Sequence, residues 1–327
     1  MAVRFSDDQV VKATGARRVH GGARASYSAV CTDTRKLTHG CLFVALIGEK
    51  FDAHEFLQAA KNGGAAGAIV QKGRKIQTGA LGEDFAIFEV ENTLAALGGL
   101  ARFHRARFTI PIGAVGGSNG KTTTKEMVAS ILSVRGPALR TEGNLNNEIG
   151  VPLTLFQLEP KHVSAVIEMG MNHKGEMTRL ANIALPDAAV ITVVQPEHLE
   201  GLGSLQGVAE AEGELFKALK SSATAVVNVD DPLIVEQARG LPKTLTFGRA
   251  ETAAVRLAKV ESRGRDGLTA HIAYSGRDYP VKLGFIGEHN AQNATAAFAL
   301  CLALGYRPEE CVQGLEAAKP YSRRLNV

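Results

Sequence analysis

A chain of 327 residues has room for two or three domains, and its 45% hydrophobic and 21% charged residues are those of a globular protein. A net charge of +4, from 37 basic and 33 acidic residues, is too mild to argue for nucleic acid, though it suits small anionic substrates. No apolar run reaches the roughly 18 residues of a membrane span, and the N-terminal MAVRFSDDQVVKATG lacks a secretory core.

In chain order, residues 1–108 read as a small α/β unit. Strand-like runs lie at 41–47 (CLFVALI), 68–70 and 85–90. Helical spacing appears at 54–62, ended by Gly63-Gly64, and at 93–105. From Thr109 strands alternate with helices, which predicts a mostly parallel sheet. The expected strands are 110–115, 164–168, 188–193, 223–228 and 245–247, and the helices 122–135, 150–155, 174–183 and 207–219. Residues 255–260, 268–274 and 279–283 then read as an antiparallel addition, followed by helices at 289–304 and 308–317. The fold class is α/β, with an N-terminal domain at 1–108, a central P-loop domain at 109–318 and a linker at 319–327. Cys31, Cys41, Cys301 and Cys311 match no zinc spacing and form no CxxC, so they are expected as buried, reduced thiols of a cytoplasmic protein.

The run IPIGAVGGSNGKTTT at 110–124 carries the most chemistry. A short apolar strand leads into a glycine-rich turn, then Lys121-Thr122 and a helical pattern. Backbone N–H groups at such a helix start point at an anion. Lys121 would reach the β- and γ-phosphates and the Thr122 hydroxyl would meet Mg²⁺. The strict pattern wants glycine where Val115 stands.

Other candidates keep two readings each. Glu168 ends an apolar strand, either as a Mg²⁺ ligand at the sheet's C-terminal edge or as a solvated strand end. His198 in QPEHLEG meets a metal, orients a water, or is an ordinary loop histidine. Asn290, with Asn293 in GEHNAQNA, reads an adenine edge or caps a helix. The amides of GNLNNEIGVP cap a helix or donate to a sugar or carboxylate. Arg35, in Thr32-Asp33-Thr34-Arg35, binds a phosphate or belongs to a surface turn.

DTRKLTHGCLFVALIGEKFDAHEF, GSNGKTTTKEM, GNLNNEIGVPLTL, AVIEMGMNHKGEM, HLEGLGSLQGVAEAEGELF and GEHNAQNATAA follow one another across essentially the whole chain. In this order and spacing they resemble the Mur ligase family, on the branch that uses D-Ala-D-Ala. The resemblance implies a cytoplasmic, monomeric, ATP- and Mg²⁺-dependent ligase of peptidoglycan precursor synthesis. Its N-terminal domain would bind the UDP part of a UDP-N-acetylmuramoyl-tripeptide and its central domain MgATP. The peptide carboxylate would attack the γ-phosphate, and the amine of D-Ala-D-Ala would displace phosphate from the acyl phosphate so formed. Carried over residue by residue, Gly117, Ser118, Asn119, Gly120, Lys121, Thr122 and Thr123 hold the phosphates. Thr122 and Glu168 hold Mg²⁺, with His198 near a second ion; Lys121, Glu168 and His198 are the catalytic set. Asn290 contacts adenine, and Arg324 matches an arginine that contacts the nucleotide. Asp33, Thr34, Arg35, Asn144 and Asn147 face the UDP-sugar.

Three departures from the family pattern stand out. Ala114 and Gly116 occupy the Gly and Thr positions of its Gly-x-Thr-Gly loop, so weaker nucleotide binding is expected. Glu212 stands where many members carry a carbamylated lysine; it either ligates metal directly or is an exposed helix glutamate in the acidic AEAEGE. The chain stops just after the linker, where the family has a third, Rossmann-like domain for the incoming amine. A shortened form with weak or no ligation alone is therefore expected. The alternatives are a module that binds UDP-sugar or ATP without ligating, and a generic P-loop kinase or GTPase, which would need no DTRKLT–FDAH segment.

Overall fold

The computed structural model describes residues 4–23, 26–48 and 51–320. The chain divides into two units, Met1–Phe108 with Pro152–Pro160, and Thr109–Val151 with Lys161–Val327.

The first unit opens with α1 (Asp7–Thr14), started by a reciprocal Ser6–Gln9 capping box and stopped by Gly15 at φ 69°. It continues with β1 (Arg17–His20), β2 (Val30–Cys31), β3 (Leu42–Val44), α2 (Leu57–Asn62), β4 (Gly67–Gln71), β5 (Ala86–Val90) and α3 (Thr93–Arg105). The sheet order is β1-β5-β4-β3-β2, parallel except for β1 against β5. Cys41, Phe43, Val70, Phe85 and Ile87 form the core of one face. Two expectations need correction. The run at 41–47 pairs only over Leu42–Val44, because the chain then doubles back, with Ile47 bridging to Asp52 and the Gly48 N–H donating to Phe51 O. The helix expected at 54–62 begins as a 3₁₀ turn, Ala53–Phe56, capped by Asp52, and becomes α-helical only at Leu57. Nor are all four free cysteines buried, since Cys31 is half-buried.

The second unit runs β6 (Ile112–Gly116), α4 (Lys121–Leu132), β7 (Ala138–Arg140), the first two residues of α5 (Gly150–Leu155, the rest of which belongs to the first unit), β8 (Ser164–Glu168), α6 (Glu176–Ala184) and β9 (Ala188–Ile191). It goes on with α7 (Leu199–Leu202), α8 (Leu205–Lys217), β10 (Thr224–Asn228), α9 (Pro232–Gln237), β11 (Thr244–Gly248) and β12 (Val255–Ser262). Then come β13 (Leu268–Tyr274), β14 (Arg277–Leu283), α10 (Glu288–Ala303) and α11 (Pro308–Ala317). The sheet order is β14-β13-β12-β11-β10-β9-β6-β8-β7. β12 is not simply part of an antiparallel addition: it pairs parallel with β11 at Phe247↔Val255 and antiparallel with β13, and so joins the two halves of the sheet. α10 is buried at Ala291 and from Ala294 to Cys301, and packs on α4. Its alanines give it the small girth that a helix enclosed on most sides requires.

The placement of β6 decides where the site lies. The chain leaves β6, lays β7 and β8 on one side of it, and returns to lay β9 on the other. In an open α/β sheet that reversal opens a crevice beyond the strands' C-terminal ends. The glycine-rich loop leaves β6 at this point.

Candidate active site

The loop from Gly116 to Gly120 joins β6 to α4, and two of its glycines are demanded by geometry. Gly117 has φ +111°, and a Cβ there would run into the Thr192 side chain and lie 2.8 Å from its backbone nitrogen. Gly120 has φ +82°, and its Cα hydrogen face is covered by the Asn293 amide of α10. α4 begins at Lys121, so the N–H groups of its first turn, which have no partner within the helix, open onto the loop.

The loop is bolted down from β9 and the segment after it. The Ser118 N–H donates to Val193 O at 2.7 Å, and the Gln195 N–H donates to Ser118 Oγ at 2.9 Å. The Asn119 amide donates to the Gln195 side chain. The Thr192 hydroxyl donates toward Gly116 O at 3.1 Å and Asn119 O at 2.5 Å. Lys121 Nζ donates to Gly117 O at 2.5 Å and to Ser118 O at 3.3 Å, which sets the ammonium over the loop.

Glu168 ends β8 in register with Val115 of β6 and is 2% exposed. Its N–H donates to Thr141 Oγ1 at 2.9 Å, and Lys125 Nζ, itself buried, donates to Thr141 O at 2.8 Å. Oε1 accepts from Asn146 Nδ2 at 2.9 Å and from the Thr122 hydroxyl at 3.4 Å. Oε2 is buried and has no hydrogen-bond donor. A buried carboxylate oxygen without a partner is costly, and a cation removes that cost. Beside it lies a threonine hydroxyl, so the donors are hard oxygens of the kind Mg²⁺ takes. Glu168 is thus no solvated strand end, and the residues present fit a magnesium ion between Thr122 and Glu168. Among the described residues no three His, Cys, Asp or Glu side chains stand together as a ready-made metal set. Phosphate oxygens and water would complete the shell, as is usual for Mg²⁺.

Glu212 is not an exposed helix glutamate. It is 1% exposed on α8, and its Oε2 accepts the Gly117 N–H at 2.8 Å. Burial pushes its carboxyl up to about 7, with nearby Glu197 adding to the rise, while Lys121 and the Gly117 N–H pull it back. His198 lies at the start of α7 in the left-handed region, φ +49°, with its side chain 46% exposed and Glu197 4.0 Å away.

The remaining expected residues fall as follows. Thr123 is half-buried in the first turn of α4. Asn290 donates from Nδ2 to Ile286 O at 2.8 Å and accepts from Asn293 at 3.3 Å, so its amide braces the start of α10. Asn147 caps α5, its Oδ1 accepting from the N–H groups of Ile149 and Gly150, and Asn144 is exposed in the preceding turn. In the first unit, Asp33 caps the 3₁₀ turn Thr34–Lys36, and the Arg35 fork closes on it at 2.9 and 2.8 Å. That pairing holds the Asp33 carboxyl well below the usual range. Arg324 lies outside the described residues. Sequence reasoning missed Thr141, Asn146, Thr192 and Gln195. Asn146 lies inside GNLNNEIG and was within reach of that motif; an isolated threonine or glutamine carries no local sign of its role.

Known proteins resemble this chain over most of its length. The chain is 41% identical over 310 residues to the UDP-N-acetylmuramoyl-tripeptide–D-alanyl-D-alanine ligase of Escherichia coli, spanning 93% of this chain and 66% of that one. To the enzyme of the same name from Bacillus subtilis it is 37% identical, over 91% of this chain and 63% of the other. The chain therefore spans somewhat less than two thirds of these relatives' length. Among solved structures, MurF from Acinetobacter baumannii superposes with a TM-score of 0.91 at 34% identity, covering 99% of this chain and 70% of that one. A MurF ligase from Thermotoga maritima in complex with ADP gives 0.79 at 28% identity, covering 91% of this chain and 67% of the other. Residues 115–301, from the end of β6 into the last turn of α10, match the Mur ligase middle domain, and with these relatives they place the chain in the Mur ligase family.

Proposed function

We propose that this chain is the UDP-substrate and nucleotide part of an ATP-dependent amide ligase that adds D-Ala-D-Ala to a UDP-N-acetylmuramoyl-tripeptide. The observation that carries the reading is the orphaned, buried Glu168 Oε2 on a carboxylate whose other oxygen meets the Thr122 hydroxyl, next to the residues of a phosphate loop. A loop alone suits any nucleoside triphosphate; a loop with a preformed half-shell for Mg²⁺ suits phosphoryl transfer.

In this reading the peptide carboxylate attacks the γ-phosphorus and ADP leaves. The amine of D-Ala-D-Ala then attacks the acyl carbon, phosphate leaves, and the amine proton is lost to solvent. Two anionic reactants have to approach, so the protein's task is electrostatic. Lys121 and the loop amides nearer α4, from residue 119 to 123, would offset the phosphate charge, the Gly117 and Ser118 N–H groups being taken by Glu212 and Val193 O. Thr122 and Glu168 would hold Mg²⁺, which would screen the phosphate oxygens; His198, on the same sheet edge, would serve a second ion. Asn290 and, further along the chain, Arg324 would meet the nucleoside. Asp33, Thr34, Arg35, Asn144 and Asn147 would serve the UDP-sugar. No helix among the described residues is long and apolar enough to cross a membrane.

The test is calorimetry with ADP, with and without Mg²⁺, followed by ADP formation from ATP. Binding should need magnesium and weaken at least tenfold in Lys121→Met. ADP formation should depend on UDP-N-acetylmuramoyl-tripeptide, because the carboxylate of that substrate is the group that displaces ADP. Absence of any heat from ADP at saturating magnesium would overturn the reading.

A further inference from the structure

The departures at positions 116 and 212 meet in space. A Cβ built on Gly116 would lie 2.9 Å from Glu212 Oε2 and 3.1 Å from Leu215 Cδ2. Gly116 does not need glycine for its backbone, since it is not among the residues at positive φ. It is the last residue of β6, paired with Ile191, in a strand position where glycine is ordinarily unfavourable. A strand glycine of that kind marks a place where another group comes close. Here that group is a buried carboxylate.

Resting on the nucleotide-binding reading above, we propose that Glu212 is a positioning residue for the phosphate loop, and that Gly116 is the glycine that admits it. The Oε2 atom takes the Gly117 N–H at 2.8 Å, while Val193 O takes the next amide, that of Ser118, at 2.7 Å. These two acceptors fix the entrance of the loop, so that the amides nearer α4 converge on the phosphates. The anchor works through hydrogen bonding. The negative charge is no help, because a carboxylate behind the loop repels the polyphosphate in front of it, and buried surroundings strengthen that repulsion. Metal ligation by Glu212 is a different role with a different signature. A ligand to Mg²⁺ needs the anionic oxygen, whereas an anchor needs only an acceptor, and a glutamine carbonyl supplies one.

A double-substitution cycle on the 327-residue protein tests this, with the ADP dissociation constant at saturating Mg²⁺ as readout and thermal melting as the check on folding. Glu212→Ala removes the acceptor and should weaken ADP at least tenfold. Glu212→Gln should restore binding to within about threefold of the parent, or exceed it, because the acceptor stays and the repulsive charge goes. Gly116→Ala should weaken ADP at least tenfold when Glu212 is present, yet add less than threefold in the Glu212→Ala background, where the closest contact is gone and only the flexible end of Leu215, at 3.1 Å, has to give. A Gly116→Ala protein that melts normally only when Glu212 is also shortened supports the pairing equally. Glutamine as damaging as alanine, or a Gly116→Ala penalty that is the same in both backgrounds, would overturn it. Failure of the nucleotide reading itself is distinct, since then the parent would not bind ADP.

Discussion

Thr141→Val is the substitution that most directly tests how Glu168 is held. Thr141 is fully buried, and its Oγ1 is the acceptor for the Glu168 N–H at 2.9 Å. Valine keeps the shape and replaces that oxygen with a methyl group. The backbone bonds of residue 141, its N–H to Val166 O at 3.2 Å and its carbonyl from Lys125 Nζ at 2.8 Å, are untouched. What changes is that a buried N–H loses its partner, at a cost of about 1–3 kcal/mol. At roughly 2–4 °C per kcal/mol for a unit of this size, a cost near 2 kcal/mol lowers the melting temperature by about 4–8 °C. Thermal unfolding followed by circular dichroism measures it. Thr141→Ser keeps the acceptor and should recover most of the loss. A second readout separates site from scaffold: the extra melting shift that Mg²⁺ adds to ADP should shrink in Thr141→Val, because the freed Glu168 no longer presents Oε2 beside Thr122. Thr141→Val melting within about 1 °C of the parent, with the magnesium increment intact, would refute the idea that Thr141 is the shelf on which Glu168 rests.

Gly117→Ala meets both the positive φ and the Thr192 side chain, so the loop has to move. Its ADP affinity should fall by at least a hundredfold, measured by calorimetry, with the melting temperature of the ADP-free protein changed far less. Thr192→Val removes the hydroxyl donor to Asn119 O, while Gly116 O keeps the Thr192 N–H at 3.1 Å, and should weaken ADP about tenfold, since a net hydrogen bond is worth about 1 kcal/mol and a carbonyl left without its donor costs more. The first unit carries a pH signature. His104 is buried, donates from Nε2 to Leu158 O at 3.1 Å, and is held down to about 4 by burial. Its folded-state value lies below the unfolded one, so the stabilisation is fully present above about pH 6.5 and is lost as pH falls toward 4, by at most about 3 kcal/mol. Melting temperature against pH should drop across that window in the parent and flatten in His104→Leu; equal slopes in the two would refute it.

The parallel strands were readable because a strand covered on both faces is a bare apolar run, as in 164–168 and 188–193. The edge strand Arg17–His20 was not, since its residues face solvent and show no alternation. The spatial order of strands is not a local property either, so the reversal around β6 and the double pairing of β12 could not be read. Nor could Thr141 and Thr192, whose importance depends on which backbone group tertiary packing brings to them. Glu212 differs from these, because its position was recoverable. Val208, Ala211, Leu215 and Phe216 repeat at helical spacing and are all buried on α8, and residue 212 falls on the same stripe, four after Val208 and four before Phe216. The neighbouring Glu210 and Glu214 fall off its centre: Glu210 is the surface-paired acid that the acidic AEAEGE suggests, bound to Lys174, while Glu214 is half-buried and takes the N–H groups of Gly175 and Thr178 at the start of α6. A carboxylate placed on an apolar stripe has no water to turn to, so it requires a donor from whatever element the stripe packs against. Here that element is the loop after β6, and the space for the carboxylate is made by a residue with no side chain. On the proposal above, the two departures from the family's pattern are one change in physical terms, and no variant of position 116 larger than glycine should tolerate glutamate at 212 without losing ADP affinity.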